Sequence, residues 1–209
     1  MASVLSTALV CRSRWPDQRE LSRKIVHIGT GPVLLLAWYL DIPSAIAVPC
    51  ALVVTLIAFL NHRWKVLPAI EDVGRNSYGT VAYGFAISLL FFFFWVDQPV
   101  AVCAGGLVMA FADGFAGLFG RAVQSPSWTI WGQTKSVIGT TAMAVTSAVV
   151  LIALILLTHS PLNPIRIAAV CIFAVGLEQV SKWGIDNLTV PLGVAMSWTW
   201  ITAASMPGS

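Results

Sequence analysis

Charge is what this chain has least of: 10% of its 209 residues are Asp, Glu, Lys or Arg, against 57% that are apolar. An ordinary soluble domain carries about 25% charged residues, so a water-soluble globule is excluded. Histidine is limited to three positions and cysteine to four. Cys11, Cys50, Cys103 and Cys171 stand singly, with no zinc or disulfide spacing, and read as small buried apolar residues. His62 and His159 have no neighbour at metal-ligand spacing. The soluble-enzyme signatures are missing as well: there is no Walker-type phosphate loop, no GxGxxG after a strand, no HExxH and no GxSxG. No repeat of 20 to 50 residues and no low-complexity linker divides the chain. The apolar first ten residues are followed, not preceded, by arginines, the reverse of a secretory leader, and are given no role.

What is present is a series of apolar runs, at 25–40, 44–60, 79–96, 99–120, 137–158, 165–180 and 188–206. A hydrocarbon core of ~30 Å needs about 20 helical residues to cross it. The expected fold is therefore all-α, a polytopic membrane bundle of about seven transmembrane helices. Residues 1–24 form an N-terminal basic segment and 25–209 a single membrane domain. The first and sixth runs are short, which points to a thinned bilayer, shielding by neighbours or partial re-entrance.

Eleven of the twelve Lys and Arg residues fall in alternate gaps between these runs, and Arg166 is the exception. By the positive-inside rule the basic gaps, and with them the N terminus, face the cytoplasm or an organelle stroma. Seven of the nine carboxylates share that face. The nine tryptophans and the 91–94 phenylalanine run read as interface belts and lipid-facing surface.

Asp113 stands out, in GGLVMAFADGFAGLFGR about two turns before the inner end of the fourth run. An Asp at a membrane-helix centre costs roughly 2.5 to 3.5 kcal/mol, so it must face a partner or a polar cavity. One reading makes Ala112, Ala116 and Gly120 a small-residue ladder between touching helices, with Asp113 paired to a buried cation. The other makes Asp113 a metal ligand or base, with Gly117 and Gly120 leaving room for phosphate oxygens and Arg121 neutralising them. Downstream, Lys135, Ser136, Gly139 and Thr140 open the fifth run. A helix N terminus with free N–H groups, a lysine and hydroxyls suits an anion, although a lysine anchor beside a Ser cap fits equally well.

Asp186 stands at the entrance to the last run, as a metal ligand or as a helix cap, and Asn187 beside it is a phosphate- or substrate-binding candidate. Glu178 is either paired with Lys182 at i+4 or a base in an apolar setting. Arg23, Lys24 and His27 stack on one helical face, as phosphate ligands or as interfacial anchors. Arg75, Ser77, Tyr78 and Thr80 present the same choice, and Glu71 and Asp72 are reserve carboxylates.

The string Asp113-x-x-Ala116-x-x-x-Gly120, followed by Lys135-Ser136-x-x-Gly139, resembles the nucleotide-binding signature of the dolichol kinase and phytol kinase family. Further matches are RKIVHIGTG at 23–31, RNSYGTVAYG at 75–84 and EQVSKWGIDNLTVPL at 178–192. The last looks closest to phytol and related isoprenoid-alcohol kinases. Where dolichol kinases carry a second Gly, a double Lys and a Glu, this sequence has Gln124, Thr134 and Ile138.

The resemblance implies transfer of the terminal phosphoryl group of CTP to a long-chain isoprenoid alcohol, phytol above all, in a cyanobacterial or plastid membrane. Such a reaction needs a divalent ion, cations and an acceptor for the hydroxyl proton. Magnesium takes one or two carboxylates with phosphates and water, and Asp113 with Asp186 would supply them. The expected partners are the bilayer, the alcohol and the nucleotide triphosphate; nucleic acid is not among them, and the oligomeric state is left open. A CTP-dependent lipid cytidylyltransferase and a small transporter are the alternatives. Transport is disfavoured because the carboxylates cluster toward one face.

Overall fold

The computed structural model describes residues 2–15, 19–64 and 78–203. Among them are eight helices: α1 (Ala2–Arg14), α2 (Arg19–Tyr39), α3 (Ser44–Trp64), α4 (Gly79–Phe94), α5 (Pro99–Ala122), α6 (Val137–Leu157), α7 (Pro164–Val180) and α8 (Asp186–Thr202). The seven apolar runs correspond to α2 through α8. The first run proves longer than its hydropathy shows, because α2 begins at Arg19 and carries the basic residues inside the helix. The apolar stretch at the N terminus, given no role above, is α1, which packs on α2 with Val4 against Gly29.

Three helices, α3, α5 and α6, are long and apolar enough to cross a membrane, and α4 is a shorter apolar helix. Their burial ranks them. Most of α5 is inside the protein, whereas α3 turns Val53, Val54, Ile57 and Phe59 outward. The helix pair α3–α4 is joined by a hydrogen bond between Thr55 Oγ1 and Ser88 Oγ of 3.0 Å, an interhelical link of the kind that adds about 0.6 to 2 kcal/mol in an apolar medium.

α5 is the central post, with α2, α4, α6 and α8 around it. Small residues along it let the neighbouring helices approach. A side chain at Gly105 would run into the carbonyl of Pro191 on α8, and one at Gly106 into Leu34 on α2. At Gly120 a Cβ would lie 3.0 Å from Ser136 Oγ and 3.3 Å from Gly139 Cα. The ladder does bring two backbones together, and it sets the start of α6 against the last turn of α5.

Gly105→Ala is expected to lower thermal stability in detergent, since overpacking costs typically 1–3 kcal/mol and the obstacle is backbone. Gly176→Ala, where the space is open, should leave the melting temperature unchanged or higher, because Ala favours a helix by about 1 kcal/mol. Equal losses in the two variants would contradict this packing.

The all-α expectation has one exception, a hairpin between α5 and α6. Strand β1 (Ser127–Ile130) pairs antiparallel with β2 (Gln133–Ser136), with Trp128 opposite Lys135 and Ile130 opposite Gln133. Trp131 at φ 51° and Gly132 at φ 76° make the two-residue turn, the left-handed combination that matches strand twist.

Arg166, the cation outside the basic gaps, donates to the carbonyls of Trp200 (3.0 Å) and Ala203 (2.5 Å) at the end of α8. A cation at a helix C terminus satisfies orphan carbonyls and the helix dipole, a structural use. Two of the belt tryptophans are core residues instead: Trp198 is buried, and buried Trp95 donates to Ile42 O at 2.7 Å. Phe91 is also buried, whereas Phe92 and Phe93 face out. Of the cysteines, Cys103 and Cys171 are buried as expected and Cys50 is exposed.

Candidate active site

Asp113 is the last residue of a π-helical segment, Val108–Asp113, in the middle of α5. Single π turns inside α-helices are frequent at functional sites. Two carbonyls of this segment bond outside their own helix, both to α2. Lys24 Nζ donates to Asp113 O at 3.0 Å and His27 Nε2 lies 3.0 Å from Met109 O. A carbonyl only accepts, so the His27 proton sits on Nε2. The same two side chains hold the carboxylate: Lys24 Nζ is 2.5 Å and His27 Nε2 3.3 Å from Asp113 Oδ2. The Tyr83 ring of α4 lies tilted against the His27 ring, centroids 4.5 Å apart, and its hydroxyl meets Thr30 Oγ1 at 3.0 Å.

The buried-cation partner weighed for Asp113 is thus Lys24, and the basic stripe of α2 reaches the acid directly. The space that a side chain would take at Gly117 is filled by the end of Lys24, whose Cε lies 2.6 Å from an ideal Cβ there. Asp113 Oδ1 takes part in none of these bonds.

A second ion pair faces the first. Lys135, on β2, donates to the Glu178 carboxylate and to Glu178 O at 2.9 Å. Gln179 Nε2 braces the acid from behind at 2.9 Å and also donates to Thr140 Oγ1 at 3.0 Å. The i+4 pairing of Glu178 with Lys182 is not formed. α7 ends at Val180 with Ser181 extended, and Lys182 Nζ lies over the Trp183 ring at 4.2 Å.

Both pairs border one cavity of about 480 Å³. Its walls include the three acids Asp113, Glu178 and Asp186, and the four cations Arg23, Lys24, Arg121 and Lys135. Gly117, Gly120, Ser136, Gly139, Thr140 and Asn187 complete the set expected from sequence that lies on it. His27 reaches the cavity only through Asp113. Tyr78 and Thr80 do not line it, although Tyr78 N donates to Trp183 O at 3.1 Å, next to cavity-lining Gly184. Arg75 and Ser77, with Glu71 and Asp72, lie outside the described residues.

One expectation about α6 is corrected. Its first N–H groups are not free for an anion: Val137 N donates to Pro126 O at 3.0 Å, Ile138 N to Ser125 Oγ at 3.3 Å and Gly139 N to Ser136 Oγ at 3.2 Å. The hairpin is the cause, since it brings residues 125–126 across the helix start. What α6 presents to an anion is the positive end of its dipole, and charge contacts fall to lysine and arginine side chains. Ser136 is a working N-cap. Ser136→Ala is expected to cost about 1 kcal/mol in thermal unfolding. Unchanged stability would mean that the hydroxyl does not cap the helix.

The hairpin also supplies wall residues not expected from the sequence, Ser127 and Gln133, beside Thr134. The signal was Gly132 between two four-residue segments rich in Ser and Thr. Asp186, in the first turn of α8, accepts at Oδ1 from Asn187 N and Nδ2, both at 3.0 Å.

Among the described residues no three His, Cys, Asp or Glu side chains group into a complete metal site. The donor chemistry still fits magnesium, which takes one or two carboxylates and fills its shell with phosphates and water. Asp113 Oδ1 and Asp186 Oδ2 are carboxylate oxygens not used in the bonds above.

A phytol kinase from Synechocystis sp. is 38% identical to this chain over 209 residues, covering 96% of the chain and 90% of that protein. The chain belongs to the phytol kinase family. Two more distant family members, probable chloroplastic phytol kinases of wheat and soybean, are each 26% identical over 86% of this chain and about two thirds of their own length. No protein-family model matches the chain. No solved structure matches it either. Apart from Arg121, these acids and cations lie on the strings that support the resemblance, and the fold gathers them on one cavity.

Proposed function

We propose that this chain is an integral membrane kinase that transfers the terminal phosphoryl group of CTP to phytol, giving phytyl monophosphate and CDP. The observation that carries the reading is the single cavity that joins three acids and four cations from α2, α5, β2, α7 and α8 in a phytol kinase family member. Residues 25–209 act as one membrane domain of about seven spans, with the N terminus and the cavity on the cytoplasmic or stromal face of a cyanobacterial or plastid membrane. The eleven basic residues in alternate gaps support that orientation.

Phosphoryl transfer asks a protein for positioning and charge stabilisation more than for covalent chemistry. Asp113 and Asp186 would hold magnesium, which when bound would supply positive charge against the phosphates. Lys24 and Lys135, with Arg23 and Arg121, bind the phosphate chain and steady the charge that develops on the leaving diphosphate. The alcohol oxygen bonds to the terminal phosphorus as the bond from that phosphorus to its bridging oxygen breaks. Glu178 takes the hydroxyl proton, and Gln179 holds it in place.

The test is purified protein in nanodiscs with magnesium and CTP labelled at the terminal phosphate, offered phytol, farnesol, geranylgeraniol, dolichol, diacylglycerol and phosphatidate in turn. Label on phytol with release of CDP is the expected result. Pyrophosphate with a CDP-lipid, or no turnover at all, would overturn it.

A further inference from the structure

A second cavity, of about 370 Å³, lies beside the first and differs from it in chemistry. Its walls are Leu177 and Val180 from α7, Ile185 and Thr189 around the start of α8, and Trp131 from the hairpin turn. The hydroxyls there are already committed: Ser181 Oγ donates to Leu177 O at 2.7 Å and Thr189 Oγ1 to Ile185 O at 3.2 Å. Lys182 also lines it, and its ammonium lies over the Trp183 ring at 4.2 Å. The lining therefore offers hydrocarbon and aromatic surface.

The two cavities share their walls residue by residue. Along α7, Leu177 and Val180 line the apolar one while Glu178 and Gln179 line the polar one. At the start of α8, Ile185 and Thr189 face one and Gly184 and Asp186 the other. In the hairpin turn the division falls between Trp131 and Gly132. A ligand with a polar head and an apolar tail fits that arrangement, and its head would arrive at Glu178.

We infer that the apolar cavity between α7, α8 and Trp131 is the binding site for the isoprenoid chain of the acceptor alcohol. The inference rests on the kinase reading above and adds where the acceptor lies. The hydroxyl then enters the polar cavity across the Glu178 rim, and the tail stays on the apolar side of α7. A volume of this size is within the ordinary range of small-molecule pockets, about 300–1,000 Å³.

Two measurements on the full chain in nanodiscs test it. Leu177→Trp fills the cavity and is expected to raise the KM for phytol about tenfold or more, the scale on which apolar pockets discriminate, while CTP binding by titration is unchanged. A phytol analogue with a diazirine at the tail end should, on illumination, label Trp131, Leu177, Val180 or Ile185, and excess phytol should suppress it. Label on other helices overturns the assignment whatever the KM does, and so does an unchanged KM in a folded variant. Absence of phytol phosphorylation by the parent protein is a different failure, that of the kinase reading, and the labelling pattern then still decides whether the cavity takes the chain.

Discussion

Asp113→Asn is expected to cut phosphorylation about 100-fold or more in protein that still inserts and folds, the scale on which positioned charge and proton-transfer groups act. The loss has a chemical and a structural source, and thermal stability reports the structural one. Asp113 is a functional candidate at the rim of the cavity, and it is also the counter-charge of a lysine that is 5% exposed. Breaking a buried pair by removing one partner costs about 3–5 kcal/mol, whereas removing both charges is often neutral. Lys24→Met in the Asp113→Asn background should therefore restore thermal stability and leave turnover lost. Recovery of turnover with stability would reduce Asp113 to a structural ion.

Lys135→Met is expected to weaken CTP binding about ten- to a hundredfold, measured by titration without acceptor. A hydrogen bond from a charged donor contributes roughly 1.5–3 kcal/mol, and phosphate is its natural acceptor in this cavity. Glu178 keeps the bond from Gln179 Nε2 at 2.9 Å, so the variant does not leave that acid without a partner. On the kinase reading the nucleotide draws Lys135 from Glu178, and that exchange frees the acid to receive the alcohol proton. Glu178→Gln should accordingly bind CTP as well as the parent or better and lose turnover. Unchanged affinity in Lys135→Met would remove the lysine from the phosphate site.

The helices were legible because apolar runs bounded by charges leave little choice of structure. The site was legible in its membership: Asp113, Lys135, Glu178 and Asp186 are unusual where they stand, and the fold brings them to one cavity. Their pairing was not. Lys24 and Asp113 are 89 residues apart and Lys135 and Glu178 43 apart, so only the packing of α2 on α5, and of the hairpin against α7, joins them. Lys182 looked like the partner of Glu178 because the i+4 spacing supposes a helix that continues past Val180, where the sixth apolar run and α7 both end. The hairpin was missed because four-residue strands fall short of any reliable periodicity window, and its turn puts a Trp where Asn or Asp is usual. Missing it led to the expectation of free N–H groups on α6, which residues 125–126 in fact occupy.

The kinase reading requires one cavity, open to water from a single side of the membrane, to receive the nucleotide. Its most direct test is side-selective thiol labelling in sealed proteoliposomes, with the native cysteines replaced and Ser125→Cys, Thr134→Cys or Gln179→Cys introduced at the cavity wall. All three positions should react with an impermeant maleimide from the same side, and magnesium with CTP should slow the reaction at each. Reaction of the three from opposite sides, or labelling indifferent to the nucleotide, would contradict it.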